Sequence, residues 1–240
     1  MLDLGAADCG DLAVRDGVFA LDCVSARFLA AVAAIEAEAP GRIFTIGGTC
    51  GSEAAPVAYL SSRYERLGVV WLDAHGDLNT PASSPSGHFH GMVLRTLLGD
   101  GPVEFTAHIP VPLLAPRVVI VGVRDMDADE LDYVGSAGVG LVEGWPDDAA
   151  VRVIATLRAA GVTHLYAHVD VDVFDPEAFG DALFSVPNGP SLGSVSTTVR
   201  QLVHAFDVVG VGIVESCGRV PGAAATLAQF LVDSELWRAD

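Results

Sequence analysis

The sequence predicts an α/β fold, a mostly parallel central sheet held between two layers of helix, and three observations carry that prediction. Six short apolar runs rich in β-branched residues recur along the 240 residues, with the unbroken hydrophobicity of strands buried on both faces. Segments of helical spacing fall between them. Neither a Pro/Gly/Ser-rich linker nor an internal repeat interrupts the alternation, so residues 1–240 read as one three-layer αβα domain.

The elements follow in order. Ser25 can cap a first helix that carries Phe28, Leu29, Val32 and Ile35 on one face and ends before Pro40. Strands are expected over 42–46, 69–72, 118–121 and 139–142. Asp147 or Asp148 can then start a helix through Val151, Ile154 and Leu157 that Gly161 stops. A strand over 164–169 follows, next a helix headed by Ser194, a strand over 208–214 and a final helix over 223–236. The V-G-V-G-I-V-E run at 209–215 has two glycines in dinucleotide-binding register, but Glu215 stands where the third should be and the run continues as a strand.

Composition narrows the function. Hydrophobic residues make up 51% and charged residues 18%, which suits a globular chain with a deep interior. A net charge of -18 argues against nucleic acid and against an anionic membrane as partner. All 13 basic residues are Arg, which removes a Schiff-base lysine and a Walker A loop, since both need the ε-amine. Cys9, Cys23, Cys50 and Cys217 form no C-x-x-C pair, so buried free thiols are expected. The start, MLDLGAADCGDL, is acidic where a leader is basic, and no apolar stretch reaches membrane-spanning length. A cytoplasmic protein is the expectation.

The polar chemistry collects where strands end. The exits are IGGTCGSE after Ile46, DAHGDLNT after Leu72, VRDMDADE after Gly122, DVDVFDP after Val169 and ESCGR after Val214. Open α/β sheets bind ligands at such carboxyl ends. Asp73, His75 and Asp77 alternate, and in extended backbone they would share one face. Asp170 and Asp172 repeat the spacing. A single D-x-D after a strand is usually a solvated turn or cap. Four carboxylates beside an apolar core, however, repel unless protonated or neutralised by cations. Oxygen ligands with one imidazole suit a hard to borderline divalent ion, and the surplus of carboxylates points to two ions sharing ligands.

Taken together, the ordered motifs from Gly47 to Glu215, above all DAHGDLNTPASSPSGHFHGM, resemble the ureohydrolase family of arginases, agmatinases and formiminoglutamases. The resemblance implies an arginase-like fold with two manganese ions at the sheet edge and a guanidino compound as small-molecule substrate. It implies that Asp73 and Asp170 bridge the ions, that His75 and Asp172 complete one site, and that Asp77 serves the other. His90 matches a proton-shuttling histidine, a role that suits an imidazole near neutral pH. Glu215 matches the carboxylate that pairs with a guanidinium through two parallel hydrogen bonds. Asn79 and Ser86 match residues that hold the amino-acid end, and Asp127 and Glu130 an acidic pair near its α-amino group. A helix start would also produce RDMDADE.

The chain also departs from the pattern. Thr49 and Cys50 replace the expected Asp and metal-binding His after Gly48, leaving Cys50 either as a softer ligand or as a small buried residue beside a weakened site. His88 stands where arginases carry Asn. The SVPNG stretch at 185–189 replaces a glycine- and threonine-rich loop. Cys50 and SVPNG resemble a small branch that acts on Nω-hydroxyarginine. The chain also starts close to its first motif, which implies that an N-terminal portion of longer relatives is missing. The expected activity is therefore metal-dependent hydrolysis of a guanidino C–N bond in arginine or Nω-hydroxyarginine, to ornithine and urea or hydroxyurea. Agmatine or formiminoglutamate as substrate, and a catalytically silent ligand-binding homologue, are the alternatives. The sequence leaves open whether the chain forms a homo-oligomer.

Overall fold

The computed structural model describes Cys9 and residues 12–236. The N-terminal start read as lacking a leader falls mostly outside the described residues. The elements run β1 (Val14–Arg15), β2 (Val18–Phe19), α1 (Leu21–Glu38), β3 (Ile43–Ile46), α2 (Ala54–Arg63), β4 (Leu67–Leu72), α3 (Val93–Leu97), α4 (Val103–Thr106), β5 (Val118–Val121), α5 (Ala128–Ala137), β6 (Gly140–Val142), α6 (Ala149–Ala159), β7 (His164–Asp170), α7 (Leu192–Ala205), β8 (Asp207–Val214) and α8 (Ala223–Asp233). All six expected strands are present, within about two residues of their expected ends.

The six long strands form one parallel sheet in the order β3-β8-β7-β4-β5-β6. Alternate residues of each strand feed opposite faces. Val69 and Trp71 join a core with α1 and α2, while Val70 and Leu72 join a second core with α6 and α7. This is the three-layer arrangement the continuous apolar runs predicted, because only a sheet covered on both sides buries every residue of a strand such as LGVVWL.

The winding decides where the polar exits meet. From β4 the chain moves outward through β5 to β6, then returns to lay β7 against the other side of β4, followed by β8. The reversal falls between β4 and β7, and the crevice at such a switch point is where a doubly wound sheet takes its ligand. Register pairs Leu72 with Val169. The two acidic clusters therefore leave the sheet side by side from its two middle strands.

Several expectations are corrected. The first helix begins at Leu21, four residues before Ser25, after Ala20 in a left-handed conformation with no side-chain cap. Leu29 is 39% exposed and so lies off the buried face. The cap of α7 is Ser191, whose hydroxyl accepts from Ser194 N; Ser194 sits inside the first turn. Cys9 and Cys23 are joined as a disulfide, leaving Cys50 buried and free and Cys217 half-buried and free. Asp148 does cap α6. Among the described residues no helix is long and apolar enough to cross a membrane.

Candidate metal centre

After Leu72 the backbone bends at Ala74 and His75 and does not continue as a strand. Asp77 takes a positive φ of 53°. The expected sharing of one extended face by Asp73, His75 and Asp77 is therefore wrong in its mechanism. The bend sends His75 and Asp77 to different neighbours, and Asp73 alone meets both. Gly122 permits this packing: its φ is +99°, and a Cβ there would stand 3.1 Å from Asp73 O and 2.8 Å from a Val173 methyl.

Three groups of donors, each with its atoms within 4.8 Å of one another, result from this path. One is Asp73, His75 and Asp172. His75 Nδ1 lies 3.0 Å from Asp172 Oδ2 and 3.4 Å from Asp73 Oδ1. A second is Cys50, Asp73, Asp77 and His168, all buried. The third is Cys50, His90 and Glu215, in which His90 Nδ1 lies 3.3 Å from Glu215 Oε1. Asp170 borders these groups: Cys50 Sγ donates to its Oδ2 at 3.0 Å, and its Oδ1 accepts from Asp172 N at 2.7 Å.

Burial sets the electrostatics. Asp77 and Asp170 are held well above the usual carboxylate range by desolvation and then by Asp73. Asp172 is raised to about 6 by the same two causes. Cys50 is raised well above the usual thiol value by burial, then by Asp77, Asp170, Asp73 and Glu215. For His75, desolvation opposes the charge, but hydrogen bonds to Asp172 and Asp73 outweigh it and raise the ring to about 11. For His168, desolvation likewise opposes, while Glu53 and Asp73 raise it to about 10. Burial works to raise Asp73 too, but the neighbouring imidazoles of His168 and His75 hold it below the usual range.

These are the marks of a site that takes cations. Asp77 Oδ2, His168 Nε2 and Glu215 Oε2 are buried without a hydrogen-bond partner, and an unmet buried polar atom is costly. Carboxylate oxygens, imidazoles and a thiol form a donor set that fits divalent ions in two adjacent places. Glu215 also holds a positive φ of 66°, and a non-glycine residue in that region is characteristic of sites whose surroundings enforce the geometry.

The exit after β5 contributes support instead of donors. Arg124 donates to Asp172 O at 2.9 Å and to Val173 O at 3.2 Å, fixing the turn that carries Asp172. Both oxygens of Glu130 are engaged by backbone: Oε1 accepts from Leu78 N at 2.7 Å and Oε2 from Asp127 N at 2.9 Å, the latter closing a capping box on α5. Glu130, expected near the substrate's α-amino group, is buried here with its carboxylate turned to backbone. Asp127 accepts from Asn79 Nδ2 at 2.9 Å, and Asn79 Oδ1 accepts from Ser83. Ser86 and His88 are exposed, and the His88 ring lies 5.7 Å from that of His90. His90 stacks on Phe184 at 5.2 Å, just before the SVPNG stretch.

Sequence reasoning missed Glu53, His168 and Arg124. His168 lies two positions before Asp170 on the same strand, so the period of two could have found it. Arg124 and Glu53 come together with the site only through the fold.

The arginase family model matches residues 1–225. Over 179 residues the chain is 39% identical to an arginase of Bacillus subtilis, covering 71% of this chain and 60% of that one. Over 137 residues it is 34% identical to an arginase of Staphylococcus aureus, covering 55% and 45%. The chain thus spans about half the length of the curated relatives it matches. The fold superimposes on the arginase of Bacillus caldovelox with a TM-score of 0.86 and 25% identity, covering 99% of this chain and 83% of that one. It also superimposes on a Bacillus subtilis formimidoylglutamase with a TM-score of 0.72 at 17% identity, covering 93% and 68%, a likeness of fold.

Proposed function

Because the chain belongs to the arginase family, we propose that it is a metal-dependent amidinohydrolase, cleaving the guanidino C–N bond of arginine or Nω-hydroxyarginine to give ornithine and urea or hydroxyurea. The observation that carries this reading is the sharing of Asp73 between two groups of donors, all buried but the half-buried His75, with His90 and Glu215 only 3.3 Å apart beside them. When bound, two divalent ions, for which manganese is our choice, would lower the pKa of a water between them and so supply the nucleophile. Asp73, His75 and Asp172 would hold one ion; Cys50, Asp73 and Asp77 the other, with Asp170 alongside both.

The remaining steps belong to this chain's side chains. Glu215 presents an unpartnered Oε2 and can pair with a planar guanidinium through two charge-assisted bonds. That pairing turns the guanidino carbon toward the donors and sets its orientation before reaction. His90 is within hydrogen-bonding range of Glu215 and can pass a proton to the departing amine nitrogen. Phe184 against its ring limits water on that flank. Asn79 and Asp127, joined at 2.9 Å, offer an amide and a carboxylate to the α-amino acid end, with Ser86 and His88 at the mouth. A single domain over residues 1–240 and action in the cytoplasm are part of the proposal. A cytoplasmic thiol pool would keep Cys9 and Cys23 reduced, whereas the structure joins them, so thiol counts on acid-quenched cells check the location.

The test is turnover of arginine, Nω-hydroxyarginine, agmatine, guanidinobutyrate and formiminoglutamate with manganese present. An α-amino acid should be preferred to its decarboxylated analogue, since a built polar subsite loses several kcal/mol when the substrate leaves it unmet. Faster turnover of agmatine than of both guanidino amino acids would overturn the role given to Asp127. No turnover of any would replace the enzyme with a ligand-binding homologue.

A further inference from the structure

Cys50 removes an imidazole from the centre, and the fold offers another. His168 is fully buried on β7, one strand turn before Asp170. Its Nδ1 meets Glu53 Oε2, and its ring lies flat on Trp71, with centroids 3.4 Å apart and planes 7° apart. Its Nε2 has no hydrogen-bond partner and lies within 4.8 Å of donor atoms of Cys50, Asp73 and Asp77. It stands 3.5 Å from Asp73 Oδ2.

A ring held in this way is a ligand prepared in advance. Histidines that bind metals commonly give one ring nitrogen to a carboxylate, which fixes the tautomer and the ring plane and leaves the other nitrogen's lone pair free. Glu53 is placed to be that carboxylate, being itself fully buried at the start of α2. The sequence makes room for it at one position. A Cβ on Gly212 would fall 1.1 Å from Glu53 Oε1, so β8 carries glycine where Glu53 must pass.

Resting on the two-ion reading above, we propose that His168 Nε2 is a direct ligand of the ion held by Cys50, Asp73 and Asp77, and that Glu53 is the positioning residue that orients it. The nitrogen donor at this ion then comes from the strand beneath the site, and the loop position above it carries a thiol. A site of one thiolate, one imidazole and two carboxylates is softer than one built from oxygen and imidazole alone, which shifts its preference toward zinc, cobalt or cadmium.

Cadmium-113 binding to full-length protein labelled with nitrogen-15 in its histidines tests this directly, by scalar coupling between metal and ring nitrogen. His75 and His90 present Nδ1 to their neighbours, so coupling through Nε2 reports His168. The expected result is one Nδ1 coupling, abolished in His75→Asn, and one Nε2 coupling, abolished in His168→Gln. Glu53→Gln should keep the Nε2 coupling while weakening affinity for that one ion by about 10–100-fold. Two bound ions with Nδ1 coupling alone would overturn the role of His168 and leave the two-ion reading intact. Failure of the wild type to bind cadmium, zinc or manganese would overturn both.

Discussion

The two donor groups that share Asp73 are built on different principles. In the group of Asp73, His75 and Asp172, charge is already matched in part, and no donor atom is left unmet: an imidazole raised to about 11 sits between two carboxylates. In the group of Cys50, Asp73, Asp77 and His168, an imidazole raised to about 10 compensates in part, yet donor atoms stay unmet. Asp77 Oδ2 and His168 Nε2 lack partners, and Asp77 and Cys50 are pushed toward their protonated forms by burial. A proton can stand in for a cation at the first group, whereas the second is left with unmet atoms until an ion arrives. The difference teaches that a metal site's sequence signature and its need for metal are separate properties, because the plainer motif marks the better-compensated half.

The comparison breaks most directly at the shared residue. Asp73→Asn keeps the shape but halves the ligand capacity of the one residue both groups share. Both ions should be lost together, and turnover should fall on the order of 10³-fold or more, the several kcal/mol a catalytic ion supplies at about 1.4 kcal/mol per tenfold. His75→Asn should by contrast release one ion and retain the other. Metal analysis of the two variants decides it: equal losses in both would mean that the groups are one site.

Legibility follows the same division. The strands were readable because six apolar runs are buried on both faces, and the Asp73–His75–Asp172 group because all its members lie in two short motifs that leave adjacent strands. The Cys50–Asp77–His168 group draws on exits from β3, β4 and β7, and only the sheet order brings them together. Glu53 and α2 had no signal: AAPVAYLSSR is almost entirely buried and lacks a capping side chain. The α1 start at Leu21 was hidden because an uncapped left-handed Ala20 precedes it. The helix-start reading of RDMDADE is met at Glu130, since Asp127-x-x-Glu130 is a capping box.

Cys50 sharpens the comparison at the second group alone. Cys50→His adds an imidazole and should raise manganese affinity there about tenfold or more, while lowering the preference for zinc and cobalt that a thiolate confers. Cys50→Ser should weaken binding of all these ions at that place and leave the His75 group unchanged. Isothermal titration with manganese and zinc reads both. Equal affinities for wild type and both variants would reduce Cys50 to packing.

pH separates protons from metal as the compensating charge. In the metal-free protein the raised groups hold protons that the unfolded chain has released. The stability they contribute is complete below their unfolded values and drains away as pH rises, for Asp172 from near 3.8 to about 6 and for His75 from near 6.5 to about 11. Asp73, held low, contributes in the opposite sense: its stabilisation is complete above its unfolded value near 3.8 and is lost as pH falls below it. Bound ions displace these protons, so metal binding strengthens as pH rises. The gap in Tm between loaded and chelated protein should therefore be small at pH 5 and widen by roughly 5 °C or more by pH 8. A gap that is constant or shrinks would refute the assignment of these groups as proton-bearing ligands.

The smallest expected effects come from the β5 exit, which supports each half through a different side chain. Arg124 holds the Asp172 turn by its carbonyls, and Glu130 holds the Asp77 loop through Leu78 N. Neither is among the donors, so each should act on geometry by supporting one group. Arg124→Lys cannot reproduce the fork that spans Asp172 O and Val173 O, and should weaken the ion of the His75 group by about tenfold, the lower end for a supporting partner. Glu130→Gln keeps one acceptor for the backbone and should weaken the Cys50-side ion by a similar or smaller factor. Titrating each variant with cadmium-113 and following the two resonances separately distinguishes them. If Arg124→Lys moved the Cys50-side resonance as much as the other, the two groups would be mechanically one unit, and their division into a proton-compensated half and a metal-dependent half would fail.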